Sequence, residues 1–256
     1  MRYRKGYIAL SDNRDVPLLV TIRNARAITY GQLCALSSIE GRESSRRSVH
    51  WRLSRLEGSG LIQRVIYDRF YSQPIFAITP LGLQFLESRG HVLLSLPSTA
   101  KEIVRKSQIL HSIELTGIRV ALATKGILKE WKWELEILSQ NLVYEAGKTK
   151  DYDALAEVFI DGRTTRFAIE FERTLKGAGR YEELRRVFSA DRVTDRVLYL
   201  TPSSEILYVL AVEMRGVGKR IGFALSTTFQ TEMLDASILT NSATNELVSF
   251  REFLLQ

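Results

Sequence analysis

The chain reads as a mixed α/β protein of two domains, and three observations carry that reading. Its 256 residues are 25% charged and 45% hydrophobic, the balance of a globular chain with one large or two small cores. Its charge is divided: residues 1–107 hold 17 Lys and Arg against 8 Asp and Glu (+9), and residues 108–256 hold 19 against 21 (−2). The apolar pattern also changes along the chain, from short helices and a hairpin to strands that alternate with helices.

The first half resolves into elements by local signals. Asp15–Arg26 sets Val16, Leu19, Val20 and Ile22 on a helical stripe, with acids and Pro17 at its start. Thr29 is placed to cap a second short helix, Tyr30–Leu36, with Leu33 and Leu36 inward. Ser44 or Ser45 caps a third helix that ends at Gly58 or Gly60. Leu61–Tyr67 and Ile75–Thr79 read as a hairpin around the polar turn DRFYSQ, and Pro80 opens a fourth helix. Helix, helix, helix, two-stranded wing, helix is the order of a winged helix-turn-helix domain, assigned to residues 1–95.

Residues 91–101, with Pro97 and two hydroxyl side chains, read as a linker to a second domain at 102–256. There, Ile103, Ile109, Leu110, Ile113, Ile118, Val120 and Leu122 predict a long helix over Lys101–Lys125, buried on one face. Strands are expected at Trp133–Leu138, Ala154–Ile160, Arg166–Glu172, Arg196–Leu200 and Arg220–Leu225, with helices at Ala178–Ala190 and Ser203–Met214. That alternation predicts a mixed sheet flanked by helices.

Several classes are set aside by composition. Apolar runs such as Val92–Leu96 fall far short of the roughly 20 residues of a bilayer span, so no membrane partner is expected. The N-terminal stretch has no apolar centre of a secretion signal. The single cysteine, Cys34, permits neither an internal disulfide nor a thiolate zinc cluster, and fits a reducing cytoplasm.

The positive charge points to phosphates, or otherwise to acidic proteins or lipid surfaces. On the third helix, at 100° per residue, Val49, Leu53 and Leu56 form the core face, while Arg47, Trp51 and Ser54 point away from it, flanked by His50 and Arg55. With Arg46, that set suits a major-groove helix reading double-stranded DNA: Arg for guanine edges and phosphates, Ser for phosphates, an aromatic ring for a thymine methyl or sugar. Arg64 and Arg69, on or beside the wing, would meet phosphate or the minor groove. The competing reading is a solvated basic face with Trp51 packed on the wing. Tyr67, Phe70 and Tyr71 cluster at the wing tip, as a dimer contact or a stacking surface.

The acidic residues of the second half form the other constellation. In Arg166–Glu172, period two sets Glu170 and Glu172 on one face, about 6.6 Å apart at about 3.3 Å rise per residue. Asp153, at the start of the neighbouring strand, can approach Glu170. Asp153 and Glu170 are hard oxygen ligands suited to Mg²⁺ or Mn²⁺, with Glu172 a third ligand or base in a metal-dependent DNA nuclease. Glu157 shares the face and Glu114 is a further candidate. Such nucleases carry a lysine where Glu172 stands; Lys148, Lys150 and Lys176 are the cations near enough in sequence to replace it. The alternative is an ion-pair network of Glu170 and Glu172 with Arg173, Lys176 or Arg180 and no cofactor. Thr174, Lys176, Arg180 and Tyr181 lead into the next helix, and Lys176 and Arg180 are anion or phosphate candidates at its start, or else a surface capping cluster.

Winged elements, a helix with HSIELTGIRVAL from His111, the pair Asp153-Ala154 and the run IEFERTLKGAGRY together resemble the plasmid replication-relaxation family of mobile elements. That resemblance covers about residues 15–200. It implies a C-terminal domain similar to the PD-(D/E)XK restriction-endonuclease fold in degraded form, with His111 on the helix entering the core and Asp153, Glu170 and Glu172 as the remnant acidic site. It departs at Tyr152, where the family commonly has proline. It implies DNA binding tied to plasmid replication, mobilisation or their transcriptional control, with replication or mobilisation proteins as partners and a homodimer as the default assembly. A non-DNA assembly adaptor is the remaining alternative.

Overall fold

Helix α1 (Asp15–Ala25) begins where the Ser11 backbone N–H donates to Asp15 Oδ2 at 2.7 Å. The computed structural model describes residues 10–68, 72–144, 150–242 and 246–256, and the chain divides into two units, Met1–Thr116 and Gly117–Gln256. In the first unit α1 is followed by β1 (Ile28–Thr29), α2 (Tyr30–Ile39), α3 (Arg46–Gly58), β2 (Ile62–Val65), β3 (Ile75–Ile78) and α4 (Pro80–Ser88). The strands form an antiparallel sheet in the order β1-β3-β2. The two-residue β1 has no sequence signal, because it is too short to show a period.

Caps fall where the sequence places hydroxyls. Thr29 Oγ1 accepts from Gln32 N–H at 3.2 Å while Gln32 Oε1 accepts from Thr29 N–H, a reciprocal box at the start of α2. Ser45 caps α3 through Ser48 N–H, and Thr79 caps α4, with Pro80 in its first turn. Gly82 is required by close approach: a Cβ there would lie 2.2 Å from the Leu61 carbonyl oxygen. The core gathers Leu19, Ile22, Ile28, Leu33, Leu36, Val49, Leu53, Leu56 and Ile78.

The stretch 91–101 folds onto the first unit. Leu93 and Leu96 are buried, and Ser98 donates its N–H and hydroxyl to the two oxygens of Glu87. Helix α5 (Lys106–Thr124) starts five residues later than the periodicity predicts. Its Ile109 and Ile113 pack with Ala27 and Ile75, and Gln32 Nε2 donates to the Ile113 carbonyl at 2.6 Å.

The second unit holds β4 (Leu128–Trp133), α6 (Glu134–Val143), β5 (Ala154–Ile160), β6 (Arg163–Phe171), α7 (Ala178–Ala190), β7 (Arg196–Thr201), α8 (Ser204–Glu213), β8 (Arg220–Leu225), α9 (Ser226–Glu232), β9 (Ser237–Thr240), β10 (Leu247–Ser249) and α10 (Phe250–Leu255). The sheet order is β10-β9-β8-β7-β6-β5-β4. The pairs β6·β7 and β7·β8 are parallel and the rest antiparallel. This is the mixed α/β architecture expected.

One element differs from expectation. Trp133–Leu138 was predicted as a strand, but the strand ends at Trp133 and a helix begins at Glu134. Glu136 Oε2 accepts the Trp133 N–H at 2.9 Å and so caps the helix start. Apolar residues at 133, 135 and 137 alternate, yet so short an alternation also fits the first turns of a helix.

Strand β6 sorts the two sheet faces. Phe167 packs edge-on against Phe250, which meets Phe229 of α9 edge-on and stacks with Phe253 of α10. Ala168, on the other face, joins Tyr152, Tyr181, Leu184, Phe188, Val197, Tyr199 and Leu210 under α7 and α8. No helix among the described residues is long and apolar enough to cross a membrane.

Within the first unit Arg52 is 8% exposed and contacts both Glu43 and Asp15, the latter at 2.8 Å. Burial by itself would lower its pKa, but the hydrogen bonds to Asp15 and Glu43 raise it above the ordinary arginine value. Among the described residues, removing that one cation leaves two buried carboxylates with only the more distant Arg55 (3.9 Å from Asp15) and Arg14 (3.6 Å from Glu43). Arg52→Ala is expected to cost about 3–5 kcal/mol, read as a lower denaturation midpoint in urea by circular dichroism.

Candidate functional site

Helix α3 presents two faces that follow from its sequence. Val49, Arg52, Leu53 and Leu56 are buried. Arg46, Arg47, His50, Trp51 and Ser54 are exposed, and Arg55 is partly so. Trp51 keeps 48% of its surface in solvent, so it is not packed away on the wing. The Arg55 guanidinium lies 4.4 Å from the Trp51 ring centroid and 3.9 Å from Asp15 Oδ2, which fixes the indole while leaving its outer surface open. At the N-terminal end Tyr30 Oη donates to the Arg46 carbonyl at 2.8 Å, and the Arg46 guanidinium sits over the Tyr30 ring. His50 packs edge-on against the same ring.

The hairpin β2–β3 lies where the sequence places it. Arg64, on β2, turns back to Glu57 of α3, with Nε to Oε1 at 3.0 Å and Nη2 to Oε2 at 3.2 Å, so its fork is already engaged by a carboxylate. Tyr67 packs beside the Ala27, Ile75, Ile109 and Ile113 cluster. Arg69, Phe70 and Tyr71 lie outside the described residues.

In the second unit the acids converge around the end of β6. Asp153 Oδ2 accepts the Phe171 N–H at 2.7 Å. Glu170, in register with Tyr199 on the parallel neighbour, contacts the Lys150 ammonium, and both side chains are about nine-tenths buried. Lys150 also lies 4.7 Å from the Tyr152 ring and 5.1 Å from the Phe188 ring, held by aromatic faces as well as by charge. Burial raises the Glu170 carboxyl, the Lys150 ammonium pulls it back and the Asp153 charge raises it again, leaving it at about 7.

Glu172 contacts Lys176, four residues on. Its Oε1 also faces the Thr174 N–H at 3.4 Å, and Lys176 N–H donates to Tyr181 Oη at 3.0 Å. Arg180 pairs with Glu183. The two anion candidates at the start of α7, Lys176 and Arg180, are therefore each in contact with a carboxylate.

A divalent ion does not fit this donor set as it stands. Glu170 is already neutralised by Lys150, and no group of three or more His, Cys, Asp or Glu in a metal-holding arrangement occurs among the described residues. Glu157 lies elsewhere on β5 and pairs with Arg166 at 3.2 Å. Glu114 and His111 belong to α5 in the first unit, and Lys148 lies outside the described residues.

A family model described as replication-relaxation matches residues 19–192, from α1 to just beyond α7. The chain belongs to the replication-relaxation family. That membership carries a role in plasmid replication or mobilisation. No curated protein and no solved structure matches the chain.

Within this replication-relaxation protein, the run Glu170-x-Glu172-x-Thr174-x-Lys176 forms a closed turn in which a cation meets the carboxylate four residues before it. The Tyr152 ring is fully buried and its hydroxyl donates to Asp191 Oδ2 at 2.8 Å, beside Lys219 Nζ at 2.8 Å from the same oxygen. A proline would lose that bond. Tyr199 had no sequence signal as a site residue. Its hydroxyl is buried without a hydrogen-bond partner among the described residues, and burial with the charges of Glu170, Glu172 and Asp153 lifts its pKa well above the usual value.

The sign of the Glu170 linkage is fixed by its raised value. Between its ordinary 4.5 and about 7, the folded protein holds a proton here that the unfolded chain has released, so this group's stabilising contribution is lost as pH rises through that window. Wild type is expected to lose on the order of 1–3 kcal/mol relative to Glu170→Gln across that range, measured as the divergence of their urea midpoints.

Proposed function

We propose that this protein is a cytoplasmic DNA-binding factor that grips duplex DNA through a winged helix-turn-helix unit, with α3 as the recognition helix. Its role lies in plasmid replication, mobilisation or the transcriptional control of either. The observation that carries this reading is the outward face of α3. Arg46, Arg47, His50, Trp51 and Ser54 share it, while a buried Arg52 and three apolar residues hold the opposite side to the unit. A flat array of cations, a hydroxyl and a half-exposed indole is the chemistry of phosphate and base-edge contact. Pairing with symmetric DNA would use a homodimer.

The second unit is proposed as a restriction-endonuclease-like scaffold that does not cleave. Lys150 and Lys176 meet the very carboxylates a metal would need. The competing nuclease reading is favoured by one fact: Lys150 brings a cation to Glu170 beside Asp153, although position 172 itself holds a glutamate.

For the recognition helix, Arg47→Ala with Trp51→Ala is expected to weaken duplex binding by roughly ten- to a hundredfold while the protein stays folded by circular dichroism, since Arg47 is exposed and Trp51 half-exposed. Fluorescence anisotropy reads the affinity, and an unaltered value sinks the assignment. Arg55 is the poorer choice of variant because it also faces Asp15.

Supercoiled plasmid incubated with Mg²⁺ or Mn²⁺ is expected to shift on a gel without being nicked. Nicking that disappears in Glu170→Ala would establish the nuclease instead.

A further inference from the structure

An open pocket of about 420 Å³ lies where α7 ends and α8 turns towards β8, lined by Arg185, Arg186, Ser189, Arg215, Gly216 and Val217. Its volume is in the range of small-ligand sites. Arg185 is committed: its Nη1 donates to both the carbonyl and Oε2 of Glu213, each at 2.9 Å. It thereby satisfies carbonyl and charge at the C-terminal end of α8.

Arg186 and Arg215 are not committed. Both are exposed, and neither makes an ion pair or side-chain hydrogen bond among the described residues. Elsewhere in this unit Arg166, Arg180 and Arg251 each contact a carboxylate. Gly216, at φ +75°, supplies a left-handed turn that a larger residue would strain, and this turn brings Arg215 to the same pocket as the α7 arginines. Val217 is part of the buried core, so the pocket has a fixed wall.

Two guanidiniums without counter-charges around one depression repel each other and attract an anion. The helix end accounts for Arg185 alone. The lining offers no aromatic ring and no side-chain amide, so it has no platform on which to stack a base. It has planar forks that match an oxyanion, and the Ser189 hydroxyl as a neutral donor. An open pocket that holds phosphate but not base suits a phosphate carried on a continuous strand better than a free nucleotide. We propose that this pocket binds a backbone phosphate of a nucleic acid, as a contact separate from α3.

The test uses the full chain and a short fluorescein-labelled duplex, with anisotropy followed over a salt series. Arg186→Ala/Arg215→Ala is expected to lower affinity about three- to tenfold and to reduce the slope of log affinity against log salt by about 1–2. Arg186→Lys/Arg215→Lys should retain most of that slope, because charge is kept. The same loss is expected in an Arg47→Ala background, which separates this contact from the α3 reading. Unchanged affinity and slope in the alanine pair overturn the proposal, as does an equal loss of slope in the lysine pair. Inorganic phosphate that binds through these arginines while duplex affinity is unaffected would assign the pocket to a free anion and overturn it too. A wild-type chain that leaves the duplex unbound has the same consequence.

Discussion

Charge taken out of water has to be met by opposite charge, and both units of this protein are organised by that constraint. In the first, Arg52 sits between Asp15 at the head of α1 and Glu43 in the turn before α3. One guanidinium thus joins three segments and sets the rotation of α3 about its axis. The rotation decides which residues face solvent. Arg47, Trp51 and Ser54 are outward because Arg52, one residue beyond Trp51, has an inward task.

In the second unit the same constraint acts on β6. One side of that strand is apolar and packs on the phenylalanines of α9 and α10; the other carries Glu170 and Glu172 into the layer under α7. Neither glutamate can be buried alone. Lys150 arrives before β5 and Lys176 from the turn after β6, so the cations that stabilise the fold are the groups that occupy the acids. The acids of this layer are closed by their own ion pairs. Tyr199, whose buried hydroxyl has no hydrogen-bond partner among the described residues, feels the charges of three carboxylates in that layer.

The network continues away from β6. Asp191, 8% exposed, accepts from Tyr152 Oη and Lys219 Nζ. Burial alone would raise its pKa, and those bonds with the Val193 N–H bring it below the ordinary carboxylate value. Tyr152 and Asp153 are therefore neighbours with different tasks: one ties the end of α7 into the core, the other holds the end of β6 through the Phe171 N–H. Among the described residues, Arg47 on α3, Arg186 on α7 and Arg215 after α8 are arginines without an ion pair, and all three lie at the surface, where an external anion can reach them.

By itself the sequence determined most helices and the central strands, because caps, glycine stops and apolar periods act over a few residues. Thr29, Ser45, Thr79 and Pro80 start helices where they stand, and alternation in 166–172 separates the phenylalanines from the glutamates. It also determined the outward face of α3, since a helix with Val49, Leu53 and Leu56 inward has one orientation. Local patterns could not decide 133–138, where a short alternation suits strand and helix alike, nor reveal β1, β9 and β10, which are too short to show a period; β1 exists by pairing with the distant β3. Only the tertiary structure decided which cation meets which acid. Lys150 is 20 residues from Glu170 and Arg52 is 37 from Asp15, and partners so far apart are chosen by the packing that brings their segments together.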